Sequence, residues 1–211
     1  MAVIKRGILG GFSGKIGNVV GSTWKGIDVI KSLPLSVANP QTVAQTAQRD
    51  KMTTAVKFSR TLLASIIQPF WNPFAQRQSG YNAFVSENIA SLDDAGIAFP
   101  SQFYSMRGSL LGVDTPGGSA SDASNIITIT WVNNAGQSDA LGTDELVVAV
   151  FNASQDYWIT NVGNFVRSAE EAEIGDTVME NGDDLYIYFG FARPNISKVS
   201  DSSYITVTVG A

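Results

Sequence analysis

Histidine and cysteine are both missing from the 211 residues of this chain. Without an imidazole there is no His-dependent catalytic triad, and without a thiol there is no disulfide, thiolate zinc site or sulfur nucleophile. No remaining side chain titrates near neutral pH unless its surroundings shift it. Long apolar runs are also missing, and nothing approaches the ~20 residues of a membrane-spanning helix. Lys5 and Arg6 precede an apolar patch in the manner of a signal peptide. However, Gly7–Gly14 is a poor apolar region, Lys15 interrupts it and no A-x-A follows. No signal is expected.

Phosphate-binding and nucleophile motifs are missing too. A Walker A loop needs Gly five residues before its Gly-Lys pair and Ser or Thr after it, but Leu9 and Ile16 occupy those places. No G-x-G-x-x-G occurs. The stretch Gly11-Phe12-Ser13-Gly14-Lys15 fails as a nucleophile elbow because Lys15 stands where Gly is required. Carboxylate pairs are the remaining route to hydrolysis without His or Cys. Asp93-Asp94, Glu170-Glu171-Glu173 and Asp183-Asp184 all fall in predicted loops or turns and read as solvated charge. Asp176, Asp183 and Asp184 are candidate calcium ligands, but they lack EF-hand spacing. No catalytic residue, cofactor site or metal site is assigned, and an enzyme is not expected.

What the chain does have is an uneven charge and a glycine-rich start. Residues 1–60 carry nine Lys or Arg against Asp28 and Asp50, a net of +7. The rest carries five basic and seventeen acidic groups, a net of −12. Such polarity favours contact between the basic end of one copy and the acidic face of another. The first segment, residues 7–31, holds seven glycines, with Ile8, Leu9, Phe12, Ile16, Val19, Val20, Trp24 and Ile27 among them. Glycine at this density reads as linker when its neighbours are polar. Large apolar neighbours imply instead a segment that docks on another surface. Its basic residues are too diluted for nucleic-acid binding to be expected.

The β-branched residues of this arm favour extended structure. We expect a β-hairpin of strands Gly14–Trp24 and Ile27–Lys31 turning at Lys25-Gly26. Asn39-Pro40 and Thr42 then open a helix. Its buried stripe is expected at Met52, Val56, Ser59, Leu63 and Ile66, widened by Ala55, Leu62 and Ile67, with Pro69 ending it. A second helix follows the turn at 68–73 and runs to about Ala90, facing inward with Tyr81, Phe84, Val85 and Ile89. Phe70, Trp71 and Phe74 read as core between the helices.

Beyond Gly96 the period changes to two. Residues 125–132, Glu145–Asn152, Tyr157–Ser168, Leu185–Ala192 and Ser203–Val209 read as strands, with a further one near Gln102–Leu111. Residues 112–125 read as a loop. Trp131 is expected inward, with Thr128 and Thr130 outward. The fold class is thus α+β, mainly β: an N-terminal β-hairpin arm and two helices, then an antiparallel Ig/fibronectin-like β-sandwich. The expected divisions are an arm over 1–38, a helical segment over 39–96 and a sandwich over 97–211.

The stretches 7–34 (GILGGFSGKIGNVVGSTWKGIDVIKSLP) and 39–52 (NPQTVAQTAQRDKM) resemble a family of uncharacterised proteins from phages and bacterial genomes. Later echoes are residues 127–136, 146–152 and 199–207. The resemblance implies helices followed by a sandwich and supplies no catalytic residue, because the family has no assigned activity. It implies a virion component, with copies of itself and other virion proteins as partners and the virion, otherwise the cytoplasm, as location.

The reading that results is a structural part of a phage particle, homo-oligomeric and assembled through its arm. Its expected contacts are Lys5, Arg6, Phe12, Lys15, Ile16, Val19, Val20, Trp24 and Lys25. The alternative is a surface or decoration sandwich recognising glycan or protein through exposed aromatics such as Tyr157-Trp158.

Overall fold

The computed structural model describes residues 3–4, 12–24, 27–36, 39 and 41–211, without the side chains of 3, 4 and 24. Two compact units divide the chain, Met1–Thr42 and Val43–Ala211.

The first unit is an antiparallel meander of β1 (Val3–Ile4), β2 (Phe12–Ile16), β3 (Val19–Trp24) and β4 (Ile27–Ser32), paired in chain order. This corrects the two-stranded hairpin. The strand predicted over Gly14–Trp24 breaks at Gly17-Asn18, where Ile16 faces Val19 across a two-residue turn and Gly17 takes φ +57°. Glycine enters that left-handed region without steric cost, so it divides the β-branched run. The turn predicted at Lys25-Gly26 lies outside the described residues. Trp24 pairs with Ile27 on either side of it.

The second unit begins with α1 (Val43–Thr61). Its inward stripe includes Ala55, Phe58 and Ser59 and continues past its end through Leu62, Ile66 and Ile67, all buried, so Phe58 belongs to the face and Met52, 43% exposed, does not. Pro69 does not end the helical path as predicted. A π-helical turn at Leu63–Ile67 widens the spiral, with Ile67 N bonding Leu62 O at 3.0 Å, and Gln68–Phe70 continues as helix. Proline is tolerated there because it sits at the start of a new helical turn, where its missing N–H is no loss. The second helix, α2 (Gly80–Asn88), starts later than predicted. Ser79 caps it, accepting from Asn82 N at 3.2 Å, after a loop in which Arg77 has φ +59°. Trp71 and Phe70 are core as expected, whereas Phe74 is 39% exposed.

Seven strands follow: β5 (Asp114–Ser121), β6 (Ile126–Val132), β7 (Glu145–Asn152), β8 (Tyr157–Val166), β9 (Glu171–Gly175), β10 (Asp184–Ala192) and β11 (Ser203–Thr208). One sheet has the order β11-β10-β7-β8 and the other β5-β6-β9, every pairing antiparallel. Between them lies a core of Ile127, Ile129, Trp131, Leu146, Val148, Val150, Leu185, Ile187, Phe189 and Phe191. The mainly β sandwich class therefore holds. Trp131 points in, while Thr128 is half-buried and Thr130 exposed.

The four-stranded sheet is covered on both faces. Val147, Ala149, Phe151 and Tyr188, on its other side, join Phe58, Leu62, Ile66, Trp71, Phe84 and Phe103 in a second core. Helices, large sheet and small sheet thus form three layers. Strand and loop are exchanged in one region. Gln102–Leu111 holds no strand, and residues 112–125, predicted as a loop, hold β5. Gly117-Gly118 fits there because the backbone of β6 and the tip of Ile205 approach closely; a Cβ at Gly118 would lie 2.8 Å from Thr128 O. Glu171–Gly175, predicted as an acidic loop, is β9.

Candidate functional site

Opposed residues in the arm fix its two faces. Phe12, Gly14, Ile16, Val19, Gly21 and Ile30 share one, and Lys15, Val20, Val29, Ile27 and Lys31 the other. Phe12 lies across Gly21, where an added Cβ would meet its ring at 2.6 Å, and this contact leaves Phe12 half-buried. Ile16 is 48%, Ile27 61% and Ile30 65% exposed. Val19 is also exposed and Val20 half-buried. A four-stranded sheet with apolar side chains on both faces, little covered on either, is a surface fitted for contact.

Of the predicted contact residues, Phe12, Lys15, Ile16, Val19 and Val20 come together on this meander. Lys5, Arg6 and Lys25 fall outside the described residues, and Trp24 is described only by its backbone in β3. By sequence the first unit carries five basic residues and one acidic, +4, and the second nine and eighteen, −9.

The other predicted features resolve into structure rather than chemistry. Trp158, offered as an exposed sugar-stacking ring, is packed 4.9 Å from Phe151, 5.4 Å from Phe58 and 5.7 Å from Phe103, centroid to centroid. It belongs to the core beneath the helices. Tyr157 is half-buried, and its hydroxyl donates to Asp176 Oδ2 at 2.5 Å. Burial, then the bond to Asp176, raises the Tyr157 pKa far above the ordinary phenol value.

Asp183, read as solvated charge, and Asp176, named with it as a candidate calcium ligand, are both buried at one end of the sandwich. Asp176 Oδ1 accepts from Val178 N at 3.0 Å. Asp183 Oδ2 accepts from Asn152 Nδ2 (2.8 Å), Gln155 Nε2 (2.6 Å) and Glu180 N (3.0 Å). Burial pushes the Asp183 carboxyl up, and these donors together outweigh it and hold its pKa below the ordinary value. Lone pairs bound to protein donors are not free for a cation. Among the described residues, no three acidic side chains converge as a metal cage. Glu171 and Glu173 are exposed on β9, and Asp184 is exposed beside the buried Asp183.

Sequence reasoning missed a second polar centre at the opposite end. Arg167 is fully buried over the ring of Phe191, 3.9 Å to the centroid. Its guanidinium meets Asp144 Oδ2 at 3.2 Å, Asn134 Oδ1 at 2.5 Å and Leu111 O at 2.9 Å. Burial lowers the Arg167 pKa and Asp144 opposes that shift. Arg193 Nε stands 3.0 Å from Asp144 Oδ1 but is not aligned for a hydrogen bond. All of these groups tie loops to strands. An isolated Arg between β8 and an acidic run carried the only sequence signal, since burial cannot be read from one charge. A groove of about 350 Å³ beside Trp71 and Phe74 is rimmed by the Arg107–Glu87 ion pair and gathers no catalytic set.

The profile of a family of unknown function matches residues 11–206, from the arm through the sandwich. No curated protein matches significantly. Among solved structures, chicken contactin FN1–FN3 domains are similar at 14% identity and TM-score 0.39, over 49% of this chain and 34% of that one. The chain thus spans about a third of that protein's length. A Fn3-like protein from Clostridium thermocellum is 15% identical at TM-score 0.33, over 48% and 94%. A family 76 glycoside hydrolase from a bovine Bacteroides thetaiotaomicron strain is 9% identical at TM-score 0.36, over 47% and 20%.

Proposed function

The chain belongs to that family of unknown function, DUF6266, and we propose that it is a non-enzymatic structural component of a phage virion, assembling through its N-terminal arm. The observation that carries this reading is the arm's sheet, whose apolar residues Ile16, Ile27 and Ile30 are 48–65% exposed on two faces. A small sheet of this kind has little core of its own, and three or four strands hold together best when a face is covered. The family match includes β2 to β4, which favours an arm that is part of the working unit rather than an appended tail. The virion itself comes from the resemblance carried by residues 7–34 and 39–52. The hydrogen bonds that tie the buried charges Arg167, Asp144 and Asp183 to neighbouring loops favour a structural role for them.

Deleting residues 1–33 tests the reading. The second unit has its own cores, so the shortened chain should stay folded and soluble, and it should run as a monomer in sedimentation velocity where the full chain associates. It should also be missing from purified particles that contain the full chain. A truncated protein that assembles normally, or that unfolds, would sink the proposal.

A further inference from the structure

Four edge strands end the two sheets of the sandwich, and three carry a device that blocks further pairing. β5 is closed at its end by the segment that follows β11, which packs beside it: Ser121 bridges Gly210, and Gly210 N donates to Ala120 O at 3.0 Å. β8 is bulged, with a register shift between Glu145 and Val147 and Gly163 at φ +75°. Its Trp158 is also tucked under Phe58. β9 has none of these among the described residues. It pairs with β6 over five residues without a register shift, and no strand lies on its far side. What guards it is charge: Glu171 and Glu173 are exposed, while Ala172 and Ile174 are buried. Two such edges repel each other, but the same carboxylates select a basic strand.

The arm supplies a strand with one basic face. β4 is the outer strand of its meander, with no described strand beyond it. Lys31 lies on the same face as Lys15, because both oppose Val20. Strand alternation then makes one registration satisfy both chemistries. If Lys31 lies on the face of Glu171 and Glu173, Ile30 lies on the face of Ala172 and Ile174. Asp28 shares the face of Ile30, and Thr23 Oγ1 already donates to it at 2.7 Å.

Resting on the docking-arm reading, we infer that the partner is a second copy of this chain: β4 of one copy adds edge to edge to β9 of the next and extends its small sheet. The +4 of the arm unit and the −9 of the body favour this direction over body against body or arm against arm. Donor and receiver surfaces differ, so the contact runs head to tail and grows into a ring or an open filament instead of closing as a two-fold dimer.

The test is a charge swap in the full chain, read by sedimentation velocity at micromolar concentration. Glu171→Lys with Glu173→Lys, and separately Lys15→Glu with Lys31→Glu, should each weaken self-association by about tenfold or more. Mixed, the two variants should associate again, since the reversed charges now meet. All four positions are exposed, and unchanged circular dichroism and melting of each variant separates a lost contact from a lost fold. If the truncated chain is monomeric while E171K/E173K assembles like the wild type, the arm docks elsewhere and the β9 assignment is overturned. If the wild type stays monomeric to about 100 µM, or mixing restores nothing, the second copy is not the partner.

Discussion

Arg167 is among the largest fully buried side chains of the described residues, and it is charged. Removing one member of a buried ion pair leaves the other desolvated, which costs about 3–5 kcal/mol. Arg193 stays within 3.0 Å of Asp144 and offsets part of that, so Arg167→Met should lower the urea unfolding free energy by roughly 3 kcal/mol. Arg167→Met combined with Asp144→Asn should cost less than the single change, because the fully buried carboxylate charge is gone and the charge that remains, Arg193, is partly exposed and still donates to Asp139 O. A double variant worse than the single would contradict this account of the pair. Asp183 behaves oppositely with pH. Its folded pKa lies below its unfolded value, so its contribution is fully present above the unfolded value, near 3.8, and is lost as pH falls through the folded one. Urea titrations at neutral pH and near pH 3 should therefore differ more for the wild type than for Asp183→Asn. An equal fall in both would remove Asp183 from the acid response.

At the scale of elements, what could be read depended on how many faces of a strand are covered. β6 alternates because one face meets solvent, and its register and the inward Trp131 follow from Ile127, Ile129 and Trp131. β7 and β10 do not alternate; Leu146 to Phe151 are buried without a break, and so are Phe189 to Ala192. Such continuous runs mark strands covered on both sides, here by helices and by the small sheet. β5 and β9 were missed for one reason. Each is an edge strand, and its sequence (DTPGGSAS, EAEIG) carries turn residues or charge where a central strand carries Val or Ile. The arm was legible as an apolar, glycine-rich extended segment, but one Gly-Asn turn among its β-branched residues was enough to hide one of its two extra strands, and β1 was the other. Gly118 gives this layer its sharpest test. A side chain there meets Thr128 O at 2.8 Å and Ile205 Cδ1 at 2.9 Å. Gly118→Val should force the sheets apart and cost about 1–3 kcal/mol. Gly175→Ala, with nothing within 4 Å of its Cβ, should be close to neutral. Equal melting temperatures for the two would mean that β5 does not pack as described.

For the whole molecule, the apolar sheet and the unequal charge make different demands on solution conditions. Apolar contact is insensitive to moderate salt, whereas exposed charges attract over a Debye length of about 10 Å at 0.1 M, shrinking to about 3 Å at 1 M. Charge between a +4 unit and a −9 unit should thus govern how quickly copies meet, and the isoleucines how long they stay. Raising sodium chloride from about 0.05 to 0.5 M should slow association of the full chain severalfold and change its dissociation rate little. The Lys15→Glu, Lys31→Glu chain should associate slowly at either concentration. Ile30→Ser should do the reverse, sparing the association rate and speeding release, because Ile30 is 65% exposed in the free chain and has most of its surface left to cover. Stopped-flow light scattering with these three proteins separates the two contributions. A dissociation rate that follows salt while Ile30→Ser changes nothing would mean that charge alone holds the copies together, and the apolar faces of the arm would then need another role.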